Sequence, residues 1–98
     1  MNTLLSIQIL PQDKNRSISI SLIEEAIGII EASGLRYRVG ALETTVEGDW
    51  EDLLNLITAM NQRVLELGAS QTMFQIKILH KPEGITISAL THKYDDET

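Results

Sequence analysis

The chain has no cysteine, and that single absence removes disulfide scaffolds, cysteine nucleophiles and thiolate metal sites. It agrees with a reducing compartment. Histidine is nearly as scarce. His80 and His92 are the only two, neither stands at a metal-ligand spacing from a second histidine, and both read as surface residues. Basic side chains are few: 8 Lys and Arg face 14 Asp and Glu, for a net charge of −6. That balance argues against nucleic acid, whose phosphates need a basic face. It serves solubility in most proteins and is compatible with a cationic ligand. No apolar run approaches the roughly 20 residues that span a bilayer. The opening Met1-Asn2-Thr3-Leu4-Leu5-Ser6 has neither the basic region nor the cleavage pattern of a signal peptide. The expectation is a cytoplasmic protein with no membrane and no nucleic acid among its partners.

What is present is ordinary for a folded domain: 98 residues, 43 % hydrophobic and 22 % charged. A single domain over 1–98 is expected, with a frayed tail at 95–98. Leu4 to Leu10 alternates with period two and reads as a strand ended by Pro11. Ser21 and Glu24 have capping-box spacing, and Ile23, Ala26, Ile27 and Ile30 share one helical face before Gly34. Leu35 to Val39 and Leu42 to Glu47 read as a hairpin turning at Gly40-Ala41. Asp49 caps a second helix whose stripe is Leu53, Ile57, Met60, Val64 and Leu67. Thr72 to His80 is a strand with Phe74, Ile76 and Ile78 on one side. Ile85 to Tyr94 reads equally as a strand or a short helix. The order βαββαβ gives an α+β, ferredoxin-like sandwich, with an antiparallel sheet carrying two helices on one face. The opposite face then holds Leu4, Leu10, Met73 and Leu79 among polar residues. Either a second subunit or the C-terminal segment is needed to cover it.

Catalytic patterns are missing. No glycine-rich phosphate loop is present, and Ser17, Ser19 and Ser21 read as competing helix caps with no base near in sequence. Acylphosphatases share the βαββαβ order, but 11–16 lacks their glycine-rich, arginine-bearing loop. Among the carboxylates, Asp49, Glu51 and Asp52 suit a helix N-terminus. Glu43 and Glu47, four apart on a strand, share a face and either flank a cationic ligand or line an exposed sheet edge. Thr44, between Leu42 and Val46 on a buried-looking face, needs a partner for its hydroxyl, in a ligand or on nearby backbone.

Three stretches, in order and correctly spaced, resemble the YkoF-type thiamine-binding proteins, the UPF0045 family. They are Leu4-Leu5-Ser6-Ile7-Gln8-Ile9-Leu10-Pro11, Ser33-Gly34-Leu35-Arg36-Tyr37 and Glu43-Thr44-Thr45-Val46-Glu47-Gly48-Asp49. The likeness extends to about His80. It implies a subunit that dimerises through its sheet and commonly assembles further, so that a homodimer or a homotetramer is expected. It also implies binding of thiamine or its hydroxymethylpyrimidine part without turnover, with no cofactor, no metal and no catalytic residue. For such a ligand the residues offer Ser6, Gln8, Thr44 and Glu47 as hydrogen-bonding partners. Tyr37 would be a stacking ring, and Glu43 or Glu47 would oppose the thiazolium charge. Two alternatives remain open. A ligand-sensing module of ACT type shares the element order but ordinarily sits beside a catalytic domain. A small ferredoxin-like enzyme needs a histidine, arginine or carboxylate in a deep cavity.

Overall fold

The computed structural model describes residues 1–95. The elements run β1 (Thr3–Gln12), α1 (Ile20–Ala32), β2 (Arg36–Val39), β3 (Thr44–Gly48), α2 (Trp50–Glu66), β4 (Gln71–His80) and α3 (Ile87–Asp95). The four strands form one antiparallel sheet in the order β2-β3-β1-β4. This is the ferredoxin-like sandwich, extended by a third helix. The ambiguous C-terminal segment is therefore helical. The tail expected to fray, 95–98, lies outside the described residues apart from the backbone of residue 95. Among the described residues, no helix is long and apolar enough to cross a membrane.

Alternation sorts the two faces. Leu5 stands opposite Val46 and Ile78, and Ile7 opposite Thr44 and Ile76, so these side chains share the face under α1 and α2. Leu5, Ile7, Ile9 and Val46 from the sheet meet Ala26, Ile30, Leu53, Met60 and Val64 from the helices in one buried cluster. Each fully buried aliphatic side chain contributes about 1.5–3 kcal/mol of transfer free energy. Phe74 lies on this face at the edge strand and is packed against the cluster while only partly buried. Ile76 and Ile78, also on β4, reach past the helices and stay partly exposed.

Several boundaries differ from expectation, each for a local reason. Pro11 does not end β1, which runs on to Gln12. Lys81 and Ser70 donate to the carbonyls of Asn2 and Gln12, so even-numbered β1 peptides face β4, while Pro11 directs its carbonyl the other way, to the Ser19 N–H. The N–H that proline lacks is one β4 never needed. The α1 cap is Ser19, whose Oγ accepts the Leu22 N–H at 3.3 Å, while Ser21 lies inside the helix. In α1 the buried residues are Leu22, Ala26 and Ile30, with Ile23 and Ile27 half-buried. In α2, Leu56 joins the buried stripe, while Leu67 falls at the exposed C-cap. β3 begins at Thr44 rather than Leu42. The turn takes in all of 40–43, closed by the Gly40 N–H on the Glu43 carbonyl at 2.9 Å, which leaves Leu42 83 % exposed.

The opposite face is divided. α3 lies over its β3 end, where Leu4 and Ile87 are buried. Met73 and Leu79 on β4 remain exposed, as do Leu90 and Tyr94 on α3 itself. The C-terminal segment therefore covers part of the face and leaves the β4 side open.

Candidate functional site

Six residues stand out in the sequence as ligand candidates, and the sheet deals them to opposite sides. Thr44 and Tyr37 point toward α1 and α2, whereas Ser6, Gln8 and Glu47 belong to the other face. Glu43 sits in the turn, exposed. The structure brings Glu43, Thr44 and Gln8 together at one place, where β3 begins and β1 continues past it.

There, a cleft of about 200 Å³ opens between the 40–43 turn, β1 and α1. Its walls are apolar: Ile7 and Ile9 from β1, Ile23 and Ile27 from α1, Met60 from α2. Thr44 lies on its floor, 7 % exposed. The Thr44 hydroxyl has no hydrogen-bond partner among the described residues, whereas buried Thr3 has both Asn2 Oδ1 at 2.8 Å and His80 Nδ1 at 2.9 Å. Among the described residues no buried side-chain polar atom lacks a partner, so this hydroxyl is open to the cleft, where its unspent hydrogen-bonding capacity can meet a polar atom. Glu43 lines the same cleft, from the turn.

Gln8 and Glu43 also line a second, polar cleft of about 390 Å³ on the open face, with Ser6, Gln75 and Lys77. The two clefts meet at the turn. Tyr37 lines neither. It stands opposite Val46 and packs against the core.

Glu47 has a different task. Only 3 % exposed, it accepts the Ile87 N–H on Oε1 at 3.0 Å, with Arg36 Nε 3.8 Å away. Arg36 Nη2 also donates to Ser88 Oγ at 3.2 Å. The carboxylate thus sits at the positive end of α3 and fixes that helix to the sheet. Nothing in the sequence around Glu47 signals this, because its partner lies forty residues on. At the far end of β1, His80 meets the ring of Trp50 edge-on at 5.1 Å. No group of three or more His, Asp or Glu among the described residues is placed to hold a metal ion.

A family model described as "Thiamine-binding protein" matches residues 5–95. The chain belongs to this family. A UPF0045 protein of Clostridium perfringens is 32 % identical over 90 residues, covering 92 % of this chain and 94 % of its own. Among solved structures, a domain of unknown function, DUF77, from Bacillus cereus superimposes with a TM-score of 0.89 at 36 % identity, over 99 % of this chain and 93 % of that one. A Thermotoga maritima protein, assigned provisionally to thiamine biosynthesis or salvage, gives 0.84 at 29 % identity, over 96 % and 99 %. Family membership and fold therefore agree with the resemblance seen in the three sequence stretches.

Proposed function

We propose that the chain binds thiamine or its hydroxymethylpyrimidine portion in the cleft between α1 and the 40–43 turn, and releases it unchanged. The observation that carries this reading is the partnerless Thr44 hydroxyl beside an apolar cleft. Sites for whole drug-sized ligands usually exceed about 300 Å³. A cleft of about 200 Å³ suits one ring, so the pyrimidine enters and the thiazolium stays at the mouth, beside Glu43. Among the described residues, Glu43 is the sole titratable side chain lining that cleft, which favours binding over acid–base chemistry. The family's name and the role assigned to the Thermotoga protein support the same ligand class. A second copy of the chain is the proposed cover for Met73, Leu79, Leu90 and Tyr94, which together leave an apolar surface in water.

Calorimetry tests the reading. Thr44→Val keeps shape and removes the hydroxyl, so affinity for the free pyrimidine should fall about tenfold while the fold survives. No heat from wild type at millimolar pyrimidine or thiamine rejects the ligand. Equal affinities for wild type and variant reject the site.

A further inference from the structure

β1 and β3 differ in length, and the mismatch leaves a notch in the sheet. β1 pairs with β4 over all ten of its residues, Thr3 to Gln12, but with β3 only from Thr3 to Ile7. The bonds that end the strand fix which way each peptide points. Asn2 and Gln12 give their carbonyls to Lys81 and Ser70, on the β4 side, and Pro11 gives its carbonyl to Ser19, on the β3 side. Odd-numbered β1 peptides therefore face β3. Ile7 finds Thr44 there. Ile9 finds nothing: the turn that would carry its partner closes on itself, Gly40 N–H to Glu43 carbonyl. The β1–β3 ladder stops at Ile7, and no hydrogen bond from the 40–43 turn reaches the Ile9 N–H or C=O, in a residue only 6 % exposed as a whole. Buried backbone groups are paired in the great majority of cases. This pair borders the same cleft as Thr44.

We infer that the Ile9 peptide reads the ligand's edge, its N–H donating to a ring nitrogen and its C=O accepting from an adjacent exocyclic amine, so that the cleft selects planar 4-aminopyrimidines over their 4-oxo counterparts. The inference rests on the proposed pyrimidine site and adds the group that sets its specificity. In an extended residue the N–H and C=O lie side by side and point the same way, as they do toward a neighbouring strand. An amidine edge, with one acceptor nitrogen beside one amino donor, mimics that strand. Held in the same orientation, the 4-oxo ring instead turns its carbonyl toward the Ile9 carbonyl and its ring N–H toward the Ile9 N–H, so that both pairs are opposed. A backbone reader fits an apolar cleft, because it adds specificity where most of the side chains supply only walls.

The test pairs two pyrimidines with one amide resonance. Uniformly 15N-labelled protein is titrated with 4-amino-5-hydroxymethyl-2-methylpyrimidine and, separately, with its 4-oxo analogue, and both affinities are taken by calorimetry. The aminopyrimidine should shift the Ile9 amide in a saturable manner, and the 4-oxo ring should bind at least tenfold more weakly. Thr44→Val should weaken the aminopyrimidine while the Ile9 amide still shifts at saturation. Binding of both rings with equal affinity overturns the inference and leaves the pyrimidine site standing. Binding of the aminopyrimidine with the Ile9 amide unmoved does the same. No binding of either ring at millimolar concentration overturns both the inference and the site.

Discussion

The two faces of the sheet are made from the same four strands and have opposite characters. Under α1 and α2, odd-numbered β1 residues meet Val46 and the helix stripes in a closed apolar core. On the other side, Ser6, Gln8, Gln75 and Lys77 stand in the open, and α3 covers only the β3 end. The polar centre of the open face needs no cover, and the apolar centre of the other is buried by the helices, while Ile76 and Ile78 at its edge stay partly exposed. The proposed binding site lies where neither condition is met. The cleft lies at the rim of the closed face, where β3 is too short to finish the ladder and the turn cannot fill the gap.

The contrast can be broken by mutation, and the largest effect belongs to the closed face. Leu5 has no exposed surface, so Leu5→Ala should cost about 2–5 kcal/mol in a urea melt. A loss below about 1 kcal/mol would show that the closed face is not the core. Glu47→Ala comes next. It strips a charged acceptor from the α3 N-terminus and should cost about 1.5–3 kcal/mol, with α3 amides losing hydrogen-exchange protection before the strands do. Uniform protection across α3 and β3 in the variant would contradict that anchoring. Thr44 and Thr45 then sharpen the comparison, since adjacent residues look to opposite faces. Thr45→Val should leave pyrimidine affinity unchanged within twofold, against the tenfold loss expected of Thr44→Val. The smallest effect on monomer stability, under about 0.5 kcal/mol, is expected of Met73→Asp, at a side chain 54 % exposed. If a second copy covers that face, light scattering should show the variant shifted toward the monomer with its pyrimidine affinity intact. An unshifted mass would remove the open face from the interface.

Much of this was legible in the sequence because period-two alternation is robust. Leu5, Ile7 and Ile9 point inward as their spacing requires, and βαββαβ follows from where Gly34, Gly40 and Gly68 punctuate the pattern. Other features were illegible for physical reasons. Leu42 continues the apolar rhythm of β3 and yet projects into water, because turn closure at Gly40 outweighs one exposed leucine. Pro11 looks like a terminator unless the direction of its missing N–H is known. Of the candidate residues, Thr44 and Glu43 line the cleft, and Gln8 reaches it from the neighbouring strand. Glu47 and Tyr37 have the right chemistry but are engaged elsewhere, one by α3 and one by the core. Ile9 was invisible as a polar group, since its letter reports an apolar side chain and says nothing of an unpaired peptide.

The ten-residue ladder between β1 and β4 also sets the order in which the chain can assemble. It joins the first strand to the last, residues 3–12 to residues 71–80. During synthesis β1 must wait for some seventy further residues before its longest partner exists. Meanwhile the β2–β3 hairpin, the five-residue β1–β3 ladder and the packing of α1 and α2 are available. Closing so long a loop places this domain among the slower α/β folders. Until β4 arrives, β1 is an edge strand whose β4 side is unpaired along its whole length, open to pairing with another nascent chain.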